Sequence, residues 1–482
     1  MLSRRAFLVS AAAASAATTL ARAQPNADNA PPTVLRIERR GLEVNGKPAS
    51  VLGVRQPDGT FGIRTEVGKR FRVRLENRIE EPSLIHWHGL TPPWRQDGVP
   101  GVSAPPIPPG GSADYDFPLR FGGTFWMHSH QGFQEQLLLA APLIIRDQHD
   151  RPDQQEVIMM LADFSFTPPE QIFAELKKGG MSSMGGASSR TPASGGMKGM
   201  GTMAPGMAMN AGKPDLNDVT YDALLANDRT LGDPDVVKVE PGGRVLLRVI
   251  NSSSMSAFHI DLGVLDGELI AVDGFPVAPV VARSFPIAVA QRLDIRLAIP
   301  RGTATHPVLA LLEGDKKQTG IILRAADAPI TRISETASTA SSALTLDLES
   351  RLRAASPLKP RKADRTHTLN LNGTMAGYRW SINNVSWTKD VPPLAIAQGE
   401  RVELIFVNQT PMPHPMHLHG HEFQVVEIDG KRFPGAVRDT VLVPPGRRVV
   451  VAFDANNAGL WALHCHLLYH LEAGMFTTLR YV

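Results

Sequence analysis

The chain has 482 residues, with 50 Lys and Arg against 47 Asp and Glu, 42 Gly, 39 Pro and a single Cys. That length sets an expectation of about three domains. The near balance of charge excludes a nucleic-acid or anionic-membrane binder, and one cysteine excludes an internal disulfide, so packed cores must hold the fold.

The chain opens on an address. Ser3-Arg4-Arg5-Ala6-Phe7-Leu8 is a twin-arginine pattern, followed by an Ala-rich apolar run too short to span a bilayer and by Ala21-Arg22-Ala23 as a cleavage site. Residues 1–23 are expected to be a signal peptide read by the twin-arginine export machinery. The mature protein would then be periplasmic, with no stable membrane anchor.

Beyond the leader the organising feature is a repeat. Gly68 to Asn77, Gly242 to Asn251 and Gly399 to Asn408 are equally long turn-and-strand segments, and each reaches a second motif at the same spacing: His86-Trp87-His88-Gly89, Ile260-Asp261-Leu262-Gly263 and His417-Leu418-His419-Gly420. Each copy reads as an alternating strand, a loop and a second strand, a unit of an antiparallel sandwich. A second repeat places Pro108-Pro109-Gly110 before His128-Ser129-His130 at the interval that separates Pro444-Pro445-Gly446 from His464-Cys465-His466. Three related sandwiches are expected, spanning 32–147, 153–324 and 365–482, with 325–364 as a linker. Residues 180–212 form a Gly/Ser-rich insertion in the second, carrying Met181, Met184, Met197, Met200, Met203, Met207 and Met209.

Four His-x-His pairs stand out: His86/His88, His128/His130, His417/His419 and His464/His466. On a strand, period-two spacing turns both imidazoles of a pair to one face, and random placement of the histidines would give only about half of one such pair. Eight imidazoles suit a metal cluster. By the same alternation Cys465 faces away from His464 and His466. With His470 and Met475 downstream, the thiolate has the ingredients of a blue-copper site, which needs two His, one Cys and a weak axial Met. The second histidine must come from elsewhere in the chain.

The motifs HWHG at 86–89, HSH at 128–130, HPMHLHGH at 414–421 and HCHLLYHLEAGM at 464–475 resemble those of the multicopper oxidases over nearly the whole mature chain. The resemblance implies an all-β protein of three consecutive cupredoxin-like Greek-key sandwiches holding four copper ions. The type 1 copper would take His414, Cys465, His470 and Met475. The type 2 copper would take His86 and His417, and the type 3 pair His88, His128, His130, His419, His464 and His466. Cys465, His464 and His466 would carry electrons to the cluster, where dioxygen is reduced to two waters.

Asp97 matches the acid that family members place after the first His pair. Glu472 is the candidate proton donor, displaced by one residue from the glutamate that several bacterial members carry, a shift that on a strand would turn it to the opposite face. Met475 as axial ligand favours easily oxidised donors. The wording at 464–475 is most like the CopA-type copper-resistance oxidases, and the Met-rich insertion offers soft ligands for Cu(I). The expected reaction is therefore oxidation of Cu(I) in copper detoxification. A laccase-like oxidase of phenols is the alternative, and a copper-binding or scaffold protein without turnover the reading from another class. A monomer is expected. His149, His259, His306, His367 and His421 lack a partner pattern and are expected not to be ligands, and Arg438-Asp439-Thr440-Val441 is expected to be structural.

Overall fold

The computed structural model describes residues 31–147, 153–179 and 216–482. Among the described residues six sheets form three successive pairs, of four and four, six and five, and seven and five strands. Among the described residues no helix is long and apolar enough to cross a membrane.

The repeated segments become equivalent strands, Arg70–Asn77, Arg244–Asn251 and Arg401–Asn408. In the first, Phe71, Val73 and Leu75 alternate inward between partly exposed arginines, so the period-two pattern folds as one buried face. Each strand ends on a buried asparagine that performs the same task. Asn77 donates through Nδ2 to Glu81 O (2.9 Å) and Ile107 O (2.8 Å), Asn251 to Ser256 O (2.9 Å), and Asn408 to Met412 O (2.7 Å) and Val443 O (2.8 Å). Their Oδ1 atoms accept the backbone N–H two residues on. These asparagine turns fix the corner from which the next strand leaves, and in the outer two sandwiches that next strand carries histidines.

The sheets are not purely antiparallel. Thr33–Val44, Gln155–Phe164 and Arg365–Thr374 each pair in parallel with the repeat strand of their own sandwich. The chain crosses to the opposite sheet or edge between the two strands, so it returns in the same direction.

In the first sandwich His86 lies opposite His128 on the strands Ile85–His88 and Gly123–Ser129. In the last, His417 lies opposite His464 on His414–Leu418 and Leu460–Cys465, with Met416 opposite Cys465. Ile260 and Leu262 at the corresponding place in the middle sandwich are buried in its apolar core. The segment joining the last two sandwiches carries a short helix, Asp347–Arg351.

Candidate metal centres

On the strand ending at Cys465, side chains alternate as the sequence leads one to expect. Cys465 Sγ faces His414 Nδ1 at 3.5 Å and His470 Nδ1 at 3.8 Å, and those two nitrogens are 3.2 Å apart. All three residues are buried. His470 is delivered by a one-turn helix, Leu468–Glu472, that reverses the chain so that Met475 O accepts from Cys465 N at 3.0 Å. Met475 is itself fully buried in the same core cluster as Cys465. Outward, His414 Nε2 meets Thr410 Oγ1 at 2.7 Å, and His470 Nε2 donates to Asp218 Oδ2 at 3.0 Å. Tyr378 donates to the same carboxylate oxygen (2.5 Å), and the Trp380 ring stacks on His470 with centroids 3.8 Å apart.

Behind Cys465 the eight paired imidazoles converge between the first and last sandwiches. His86 Nε2 lies 3.4 Å from His417 Nε2, His88 Nδ1 lies 3.4 Å from His128 Nε2, and His419 Nε2 lies 2.9 Å from His464 Nε2. The ring of His466 is 5.0 Å from that of His128, and the ring of His130 is 5.0 Å from that of His464. Donor atoms of His130, His419 and His464 fall within 4.8 Å of one another, as do those of His86, His88 and His128.

Most of these rings turn one nitrogen inward and the other onto a fixed acceptor. His86 Nδ1 donates to Asp97 O (2.9 Å), His419 Nδ1 to Asp97 Oδ2 (2.8 Å), His88 Nε2 to Asp439 Oδ1 (3.0 Å) and His417 Nδ1 to Asp439 O (2.9 Å). His128 Nδ1 is 2.7 Å from Glu135 Oε2, and His464 Nδ1 donates to Cys465 O at 2.9 Å. Asp97 reaches this position because Gly98 follows it at φ +89°, where a Cβ would sit 1.9 Å from Ile85 O. One aspartate thus holds a histidine from each half of the cluster.

Burial holds His88, His128, His130, His414, His419, His464 and His466 well below the usual imidazole range, with neighbouring imidazoles depressing them further, so the rings are neutral. Burial also pushes the Asp439 carboxyl up, but the Arg292 guanidinium outweighs it and holds that group well below the carboxylate range. Neutral imidazoles oriented by acceptors on one side are what a copper site needs. Nε2 of His130 and of His466 is buried without a hydrogen-bond partner among the described residues, a costly state that a metal ion would relieve. The soft thiolate with two imidazoles fits one copper, and the imidazole cluster fits several.

Glu472 lies on the helix Leu468–Glu472, which removes the strand-face objection to it. It lines a small cavity together with His128, His130, His464, His466 and Glu135. His421 stands outside the cluster, bonded to Tyr481 Oη at 2.7 Å, and His259 and His367 bond to backbone carbonyls. His306 is buried in the middle sandwich, and His149 lies outside the described residues.

Several contributors were not singled out from sequence. Asp439, expected from the sequence to be structural, holds two cluster histidines. Glu135 follows His130 by a few residues, as Asp97 follows the first pair, and that parallel was a usable signal. Asp218, Tyr378 and Trp380 are remote from every motif.

Models of the multicopper oxidase family match residues 42–150, 155–319 and 360–482. The chain is 32% identical to the multicopper oxidase MmcO of Mycobacterium tuberculosis, over 87% of this chain and 81% of that protein. It is 29% identical to a copper resistance protein A homolog of Pseudomonas syringae pv. tomato, over 87% of each. The laccase of Botrytis aclada superposes with a TM-score of 0.76 at 21% identity, covering 94% of this chain and 88% of that one, a likeness of fold. The chain therefore belongs to the multicopper oxidase family of copper-dependent oxidoreductases.

Proposed function

We propose that this protein oxidises Cu(I), one electron at a time, and couples four such oxidations to the reduction of dioxygen to two waters. The observation that carries the reading is the two-faced chain segment at 464–466, where the strand Leu460–Cys465 ends. Cys465 Sγ faces His414 and His470, while His464 on its other side faces His419. In this reading His414, Cys465, His470 and Met475 hold a type 1 copper, His86 and His417 a type 2 copper, and His88, His128, His130, His419, His464 and His466 a type 3 pair. The four bound coppers would supply the one-electron acceptor and the site of oxygen reduction.

The remaining work falls to the chain. The backbone of Cys465 joins the two centres covalently to His464 and His466. Asp97 and Asp439 hold imidazoles from both halves in orientation, and Glu472, on the cavity beside four of those histidines, would hand on protons.

The preference for Cu(I) over a phenol rests on the surroundings of His470. Its outer nitrogen is covered by the Asp218 carboxylate, and Tyr378 and Trp380 bury its ring, which suits a cation better than an aromatic ring as donor. The helix Pro169–Lys177 packs Ile172 and Leu176 into the same core, and Asp218 follows the Met-rich stretch closely in sequence. That stretch, Met181 to Met209, lies outside the described residues, as does the leader 1–23. Its thioethers are proposed to gather substrate Cu(I). Copper detoxification in the periplasm, export through the twin-arginine route, a monomeric state and the domain limits 32–147, 153–324 and 365–482 complete the proposal.

Oxygen uptake on Cu(I) and on a dimethoxyphenol, with the intact chain and with one lacking 181–209, tests it. Faster turnover of Cu(I), slowed by the deletion, is expected. A phenol rate exceeding the Cu(I) rate in both proteins would replace the reading with a laccase-like one.

A further inference from the structure

The middle sandwich supplies no histidine to the cluster, yet a side chain from it lies at the centre of the contacts around the cluster. Arg292, the first residue of the strand Arg292–Ala298, is fully buried, and every N–H of its guanidinium is engaged. Nε donates to Thr124 O at 3.1 Å, on the strand that carries His128. Nη1 donates to Ala290 O (3.0 Å) and Asp439 Oδ1 (2.9 Å), and Nη2 donates to Asp273 O (3.0 Å) and Asp439 Oδ2 (2.5 Å). The five acceptors come from all three sandwiches.

Asp439, held in this two-pronged grip, accepts from His88 of the first sandwich through Oδ1 (3.0 Å) and from His417 of the last through its carbonyl (2.9 Å). A planar fork fixes both carboxylate oxygens, and so the angle of the group, which a point charge does not. Gly89, directly after His88, gives the pair its room. At its φ of +87° a Cβ would fall 2.6 Å from Arg292 Nη2 and 2.8 Å from Asp439 Oδ2.

We propose that Arg292 is a positioning residue for the three-copper cluster: through Asp439 it sets His88 and His417 at one angle to each other, so that the ligand-free middle sandwich registers the two halves of the site. The inference rests on the reading of the eight imidazoles as a copper cluster. It assigns the middle sandwich a part in metal binding that its own sequence motif, Ile260 and Leu262, conceals.

The test is Arg292→Lys in the full chain, loaded with copper and measured by metal content, by the absorption near 600 nm and by the type 2 electron paramagnetic resonance signal. Lysine keeps the charge and loses the fork. The blue absorption per chain is expected to be unchanged, while the type 2 signal falls at least about fivefold and copper drops from about four to about three per chain. Gly89→Ala, which alters no charge, is expected to give the same selective loss. A blue Arg292→Lys protein with full copper and an unaltered type 2 signal overturns the proposal. If that variant does not fold, an unaltered type 2 signal in Gly89→Ala overturns it. Loss of blue absorption and type 2 signal together in both variants makes Arg292 a general packing residue and overturns it as well. A wild-type chain that never holds cluster copper sinks the underlying reading instead, which separates the two failures.

Discussion

The three donors that face one another at the proposed mononuclear centre, His414, Cys465 and His470, all come from the last sandwich, on adjacent strands and the one-turn helix that follows. The eight imidazoles behind them come in equal numbers from the first and last sandwiches, and the groups that orient them cross the same boundary: Asp97 reaches His419, Asp439 reaches His88, and Glu135 approaches His466 at 3.9 Å. The first centre is therefore set by the folding of one domain, with Asp218 added from outside. The second exists only when domains dock. A lesion in one should leave the spectrum of the other standing.

The largest effect is expected from Cys465→Ser. Losing the thiolate removes the absorption near 600 nm altogether and lowers oxygen uptake at least about a thousandfold, while the type 2 resonance persists. If that resonance vanishes too, the centres are not independent. Glu472→Gln should slow turnover by about a hundredfold with copper content and both spectra unchanged, measured by oxygen uptake at saturating donor.

Asp97→Asn loses the charged acceptor of His419 at the domain boundary. It should reduce cluster copper affinity or turnover by between about tenfold and a hundredfold, with the blue band intact. The smallest change is expected from Asp218→Asn, which should slow Cu(I) oxidation about tenfold and move the blue centre's reduction potential, leaving the type 2 signal untouched. An equal slowing with a phenol would remove the argument that this carboxylate favours a cationic donor.

Much of this comparison could be read from the chain alone, because a strand's period of two converts sequence spacing directly into facing. The spacing of His464, Cys465 and His466 already separates two centres, and the repeat from Gly68, Gly242 and Gly399 already separates three sandwiches. What stayed hidden depends on contacts between distant segments. Asp439 sits in a strand-like run with no metal motif beside it, and its importance arises only when His88 and His417 meet it. Arg292 is a hydrophobic-strand arginine until the sandwiches close around it. The two-face rule that sets Glu472 on the wrong side assumes a strand, whereas residues 468–472 form a helical turn, for which that rule does not hold. The parallel pairing of each opening strand was equally unreadable, since alternation within a strand carries no direction.

The most direct measurement is the copper content of the purified full chain together with its visible and paramagnetic resonance spectra. About four coppers per chain are expected, with an intense absorption near 600 nm that Cu(I) bleaches and air restores, and a separate type 2 signal. A colourless protein, or a blue one that holds about one copper and shows no type 2 signal, would contradict that expectation.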